Sequence, residues 1–320
     1  MSINNLIIWS LTDGSKGMIS QANGLAFEFN NNITQIQTDI IFPWSKLQPG
    51  ILPIYKWIFK NDIPNKKVPN IIISCGRKSV YLSIYLKKKF SKAINIHIQN
   101  PKISSKNFNF IVAPNHDNYK GSNVINSVGA LHHFKNQNDI KNEFNINTNN
   151  LVSCIIGGEN NHYIFNINEA KNLCNKILKL KEKNPILEFL IISSRRTTLE
   201  IKNLLKNKLG SISTLWLGEG FNPYEFAIHN SKFFIVTSDS TSMISEAAVS
   251  GMPIYVYQLP FKRKSVRFKR FHDEFKKLNI TRDFQSTNML EKWSYDKLNE
   301  SKRIAGIIKE RIIEGVNESK

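Results

Sequence analysis

Hydroxyl side chains and one carboxylate run from Thr237 to Ser242, directly after the apolar run Phe233–Val236, which predicts a buried parallel strand. Met243 to Val249 has the spacing of a short helix, with Met243 and Ala247, flanked by Ile244 and Ala248, turned to the sheet. Gly251 stops that helix, Pro253 prevents its continuation, and Ile254–Tyr257 is the next strand. A helix N-terminus carries unpaired N–H groups and partial positive charge, so the loop of Asp239, Ser240 and Ser242 is a ready anion site. Asp239 or a nearby Ser caps the helix. Glu246 follows Asp239 by about two helical turns and projects near the same end of the sheet. A carboxylate there suits the two hydroxyls of a ribose. The same spacing also describes a capped helix with a solvated Glu.

Comparable loops recur along the chain. Leu6–Leu11 is a strand that runs into Asp13, Gly14, Lys16 and Gly17, then a helix from Met18 to Phe29. The two glycines allow a tight turn with N–H groups offered to an anion, although the spacing is neither that of a P-loop nor that of a dinucleotide fingerprint. The strand Asn70–Ser74 ends in Gly76 and Arg77, again suited to an anion-binding turn. Phe108–Ala113 ends in His116 and Asp117, just past a strand end, where open α/β sheets place ligands and where either side chain is placed to act as a general base. In the second half, Leu151–Ile156 leads to the close-approach turn Gly157–Gly158, and Ile186–Ser193 leads to Ser194, Arg195, Arg196 and Thr197.

The positioning elements are those of an α/β protein. Helical patterns, such as Asn168–Lys183 with Ala170, Leu173, Ile177 and Leu180 on one face, alternate with apolar strands in both halves. That alternation predicts two doubly wound, Rossmann-like parallel-sheet domains facing a cleft. The polar, Asn-rich stretch Asn136–Asn150 reads as the linker. The expected domains are residues 1–140 and 150–290, with a final helical region from Glu291, within 291–320, packing back on the first domain. A basic loop is expected from Lys262 to Arg270.

The composition narrows the function classes. The chain has 320 residues, 41% apolar, with a net charge of +19, enough for two cored domains and against disorder. The cations are dispersed and mostly Lys, in a chain rich in Asn and Ile throughout, which argues against a specific nucleic-acid partner. They suit a phosphate-bearing ligand or an anionic membrane surface. Cys75, Cys154 and Cys174 form no paired motif and read as reduced, buried residues of a cytoplasmic protein. The seven His residues show no metal-ligand spacing, so no metal and no cofactor are expected. No signal peptide or spanning segment is evident, which leaves a cytoplasmic protein, peripheral at most at the inner face of the membrane.

Taken together, several motifs resemble the mitochondrial fission family named for "elongated mitochondria", which has many bacterial members. They are Leu11–Gly14 with Lys16–Gly17 and Gln21–Gly24, Gly76–Arg77, Ile98–Pro101, Pro114–Asp117 and Gly129–His132. The second half adds Ile156–Gly158 with His162–Tyr163, Ser194–Thr197, Asn222–Tyr224, Thr237–Ser240, Ser242–Met243, Ser245–Ala247, Gly251–Pro253 and Lys269–His272. The likeness spans residues 6 to 285, with Glu159–Asn161 departing from the usual segment before His162. It implies a GT-B-like architecture, in which the carboxyl domain takes a nucleotide-sugar and the amino domain an acceptor, without a required metal. Glu246 would then take the ribose hydroxyls and the helix start before it the pyrophosphate. The fission role of the plant member is not carried over, because no organelle-targeting segment is evident.

The function expected is a metal-independent, glycosyltransferase-like transfer from a nucleotide-sugar to a cell-envelope or lipid-linked acceptor. Arg195 and Arg196 offset charge on the leaving diphosphate, and His116, Asp117 or Asp13 deprotonates the acceptor. The alternative is a non-catalytic binding or scaffold protein of the same shape. A nucleotide-sugar enzyme of another type, such as an epimerase, is disfavoured, because no tyrosine–lysine pair at Y-x-x-x-K spacing follows a glycine-rich start, as the short-chain type would show.

Overall fold

Runs of β-branched residues with few polar interruptions fold here as buried parallel strands with helices on both faces. The computed structural model describes residues 6–64, 67–134 and 140–317. Two units divide the chain, Met1–His133 with Asn299–Lys320, and Phe134–Leu298.

The first unit contains β1 (Ile8–Thr12), α1 (Lys16–Phe27), β2 (Ile33–Gln37), β3 (Ile71–Cys75), α2 (Arg77–Lys89), β4 (Ile94–Ile98), β5 (Phe110–Pro114) and β6 (Val124–Ser127). Its six strands are parallel in the order β2-β1-β3-β4-β5-β6. Side chains alternate between two cores, as a pleat requires. Ile8, Ile71, Ile73 and Cys75 pack with Ala22, Leu25 and Ala26 of α1, whereas Trp9, Leu11 and Ile72 pack with Leu82 and Leu86 of α2. The strand order reverses between β1 and β3, the point at which open α/β sheets bind ligands.

The second unit contains β7 (Leu151–Ile156), α3 (Ile167–Lys183), β8 (Glu188–Ser193), α4 (Leu199–Leu209), β9 (Ser213–Trp216), α5 (Tyr224–Asn230) and β10 (Phe233–Thr237). It continues through α6 (Thr241–Ala247), β11 (Ile254–Tyr257), α7 (Val266–Lys277) and β12 (Thr281–Asp283). The order β12-β11-β10-β7-β8-β9 is the doubly wound dinucleotide-fold order, with its reversal between β7 and β10. Caps fix the helix starts: the Asn166 side chain accepts the N–H groups of Asn168 and Glu169 at α3, and Thr198 accepts that of Ile201 at α4. Cys75, Cys154 and Cys174 are buried free thiols.

Three expectations need correction. The basic stretch Lys262–Arg270 is not all loop, because α7 begins at Val266 and buries Phe268, Phe271, His272 and Phe275 on one stripe between its cations. The final helix, α8 (Glu300–Asn317), starts later than Glu291. Trp293 and Tyr295 hold the preceding segment out of the helix, by donating to the carbonyls of Asn279 (2.8 Å) and Met252 (2.8 Å). Helix α8 packs in the first unit, where Ile304, Ala305 and Ile308 join the α1 core and Glu300 accepts the N–H of Val128 at 2.8 Å. The expected linker is only partly so. Residues 136–139 lie outside the described residues, but Phe144 and Ile146 pack on the β7–β8 face of the second sheet with Leu151 and Leu190.

Candidate functional site

The β7–β10 reversal brings three sequence-distant segments into one hydrogen-bonded cluster. Thr237 ends β10, accepts the N–H of Gly157 at 2.8 Å and donates to Asp239 Oδ1 at 2.6 Å. Asp239 Oδ2 accepts the N–H of Gly158 at 3.1 Å and is ion-paired with Arg196, while the Asp239 carbonyl accepts from Asn160 Nδ2 at 3.0 Å. Thr197 closes the ring, donating to the Gly157 carbonyl at 2.6 Å and accepting the N–H of Ser194 at 3.0 Å. The fit depends on both glycines. A Cβ on Gly157 would lie 2.2 Å from Asp239 Oδ1, and one on Gly158 2.2 Å from the Arg196 carbonyl oxygen.

This arrangement revises the anion-site expectation. The Gly157 and Gly158 N–H groups are already donated inside the protein, and the Asp239 side chain is wholly buried rather than turned to a ligand. Asp239 does not cap α6, because Ser240 does so by accepting the N–H of Met243. Ile244, Ala247 and Ala248 are buried, whereas Met243 is only half-buried. Arg195 is exposed, and the Ser242 hydroxyl makes no hydrogen bond among the described residues, so these two polar groups remain for a ligand.

Glu246, one turn further along α6, is part-buried and accepts a short hydrogen bond from the Tyr224 hydroxyl at the start of α5. Only Oε2 is engaged, and Oε1 has no hydrogen bond among the described residues. Desolvation pushes the carboxyl from 4.5 up to about 7, against the opposing effect of the Tyr224 hydrogen bond. A folded-state value above the unfolded one means that the native state binds the extra proton, so this group costs stability as pH rises from about 4.5 through about 7. Glu246→Gln keeps the Tyr224 contact and removes the titration. Wild type is therefore expected to lose on the order of 1–3 kcal/mol relative to the variant between pH 4.5 and 8. Denaturation at both pH values checks this, and a pH-independent difference would refute it.

In the first unit, the β1–β3 reversal gathers the turn after β1 and the start of α2. Gly14 and Gly76 both require φ near +90° (+86° and +90°). Asp13 is exposed and accepts from the N–H (3.0 Å) and hydroxyl (2.7 Å) of Ser15. Lys16 is exposed at the first position of α1, and Gly17 has open space at its Cβ position. Arg77 is not turned to an anion site. Its guanidinium donates to the carbonyls of Ser45 and Leu47 and ties down the segment after β2. His116 is buried beside Asp117, with Nε2 and Oδ1 3.8 Å apart.

Sequence reasoning assigned no role to Tyr224, Thr237, Tyr163 or His272, although all four lie in the motifs quoted above. Buried His272 has a pKa lowered to about 4 by desolvation, so its ring is neutral at neutral pH. Its Nε2 lies 3.1 Å from the Ser238 carbonyl and 3.2 Å from the Tyr163 hydroxyl. A carbonyl only accepts, so the proton sits on Nε2 and fixes the tautomer. That contact anchors α7 to the loop carrying Asp239. The signal available in the sequence was the apolar stripe of α7, masked by its cations.

Among the described residues, no group of three or more His, Cys, Asp or Glu side chains could hold a metal ion, and no helix is long and apolar enough to cross a membrane.

Two Rossmann-like α/β units in one chain, each with glycine-bearing turns at its strand-order reversal, define the GT-B-like class. The chain belongs to the family described as "Mitochondrial fission ELM1", which matches residues 16–312. It is 31% identical to an uncharacterized protein of Rickettsia prowazekii (strain Madrid E), over 94% of this chain and 97% of that one. It is 24% identical to the mitochondrial fission protein ELM1 of Arabidopsis thaliana, over 82% of this chain and 67% of the plant protein. Among solved structures, it resembles UDP-GlcNAc 2-epimerase from Neisseria meningitidis bound to UDP-GlcNAc, with a TM-score of 0.52, 14% identity and coverage of 97% and 100%. At that identity the likeness shows the fold alone. An enzyme named as an epimerase thus has this fold, and the missing Y-x-x-x-K spacing, a mark of the short-chain type, does not bear on it.

Proposed function

We propose that the second unit binds a nucleotide-sugar at the β7–β10 reversal and that the protein transfers the sugar to a cell-envelope or lipid-linked acceptor, without a required metal. The observation that supports this most is the convergence of the turns after β7, β8 and β10 at the reversal, with Ser242, Arg195 and one oxygen of Glu246 left for a ligand. In this reading Glu246 takes the ribose hydroxyls and Ser242 and Arg195 meet the diphosphate. Arg196 acts from its anchored position against Asp239. Exposed Asp13 or the His116–Asp117 pair takes the acceptor proton.

One observation favours the non-catalytic alternative, a binding or scaffold protein. Asp239 already occupies the Gly158 N–H and the Arg196 guanidinium, which a leaving diphosphate would need. A thermal-shift panel of UDP-, GDP-, ADP- and CMP-sugars separates the readings. A ligand present at about 100-fold its Kd adds about 2.7 kcal/mol and raises Tm by several degrees. Glu246→Ala is expected to abolish that shift. No stabilisation by any of them at millimolar concentration rejects the enzyme reading. If one binds, sugar release with and without lipid extract distinguishes a transferase from a binder.

A further inference from the structure

The segment after β2 presents an aromatic face that the core does not use. Phe42 is 77% exposed, Trp57 60% and Tyr55 49%. Two short neighbouring segments carry them. Residues 39–41 run antiparallel to 58–60, with a bridge between Ile40 and Phe59 and N–H···O bonds from Ile41 to Ile58 (3.0 Å) and from Lys60 to Asp39 (3.0 Å). Phe42 lies two residues before Trp44, and Trp57 two residues before the bridging Phe59. Trp57 stacks on Tyr55 at 5.8 Å and 9°, and meets Trp44 edge-on at 5.1 Å.

The patch is held from beneath. Trp44 is buried and donates to the Pro53 carbonyl at 3.0 Å, Tyr81 donates to the Leu47 carbonyl at 3.1 Å, and Arg77 binds the carbonyls of Ser45 and Leu47. The work done by Arg77 is therefore to fix this face. Within the aromatic segment, residues 41–60, the charged side chains are Lys46, Lys56 and Lys60; Asp39 and Asp62 flank it, and Asp39 is paired with Lys60 and Lys78, each at 3.3 Å.

We propose that this face docks on an anionic lipid surface, with Phe42, Tyr55 and Trp57 at headgroup depth and Lys46 and Lys56 against the lipid phosphates. Trp and Tyr rings suit that depth because one part of each is apolar and the other hydrogen-bonds. Lysine stems lie along the apolar layer while their ammonium groups reach the anions. Charge selects lipid over a second copy of the chain, because two such faces, on a chain of net charge +19, repel each other. The proposal specifies a location for the lipid-linked acceptor reading, but does not depend on the nucleotide site in the second unit.

The test is co-sedimentation of the full chain with phosphatidylcholine vesicles, with and without phosphatidylglycerol. Wild type is expected to pellet only with the anionic vesicles, less so as salt is raised. Phe42→Ser with Trp57→Ser lowers partitioning by at least about tenfold, while the variant still melts cooperatively, since both side chains are mostly exposed. Lys46→Glu and Lys56→Glu each cost roughly fivefold or more. Failure to pellet, equal binding to neutral vesicles, or unchanged binding of the serine variant would overturn the proposal. A wild-type dimer that becomes a monomer in the serine variant, without vesicle binding, would assign the face to a second copy. The nucleotide thermal shift of the serine variant reports separately on the donor site, so either reading can fail alone.

Discussion

Asp239→Ala lowers the stability of the second unit by about 3 kcal/mol, because two donors inside the protein lose their acceptor. The side chain accepts from the Thr237 hydroxyl and the Gly158 N–H and pairs with Arg196, and it is itself fully buried. Removing it leaves the N–H and hydroxyl buried and unpaired at about 1–3 kcal/mol each. The Arg196 head is 44% exposed and returns to water at little cost. The expected fall in Tm is about 6–12 °C. Arg196→Met leaves the buried carboxylate its two internal donors but no counter-charge, and is expected to cost less, about 1–2 kcal/mol. Equal losses in the two variants would mean that the ion pair, rather than the hydrogen bonds, holds the loop. A negligible loss in Asp239→Ala would mean that the carboxylate is a ligand group after all.

Gly158→Ala acts on the same cluster from the other side. The added methyl would sit 2.2 Å from the Arg196 carbonyl oxygen and 2.4 Å from its carbon, and neither is a flexible chain end. The turns after β7 and β8 must separate, at an overpacking cost of about 1–3 kcal/mol, with the Asp239–Gly158 bond lost as well. Gly17→Ala is the control. It lies in α1, its Cβ would meet nothing within 4 Å, and its φ is not positive. That change is expected to stabilise by about 0.5–1 kcal/mol. Paired melting curves check the opposite signs, and equal signs would refute the close-approach account.

How much of this was legible varies with the physical signal. The strands announced themselves because parallel strands covered on both faces must be continuously apolar, as in Ile71–Ile73 and Phe233–Val236. The amphipathic α3 was legible from its period. The start of α7, Val266–Arg270, reads as basic loop because the surface cations of the helix outnumber the stripe of Phe268, Phe271 and Phe275. β12, with only three residues, carries too little pattern to be seen. The sequence alone starts α8 too early because nothing local in Glu291–Asn299 forbids a helix; distant carbonyls that accept from Trp293 and Tyr295 decide it.

By itself, the sequence determined the alternation of strand and helix, the two-sheet architecture and the glycine, hydroxyl and carboxylate segments that belong together. These follow from local periodicity and from backbone demands that each segment carries within itself. Only the tertiary structure decided what those groups do. Asp239 joins Gly158 and Arg196 as an internal tie, Arg77 clamps the aromatic segment after β2, and Glu246 shares its carboxylate with Tyr224. A buried charge must find its counter-charge or donor wherever the fold delivers one, and that partner is set by strand order across dozens of residues, which no local spacing encodes.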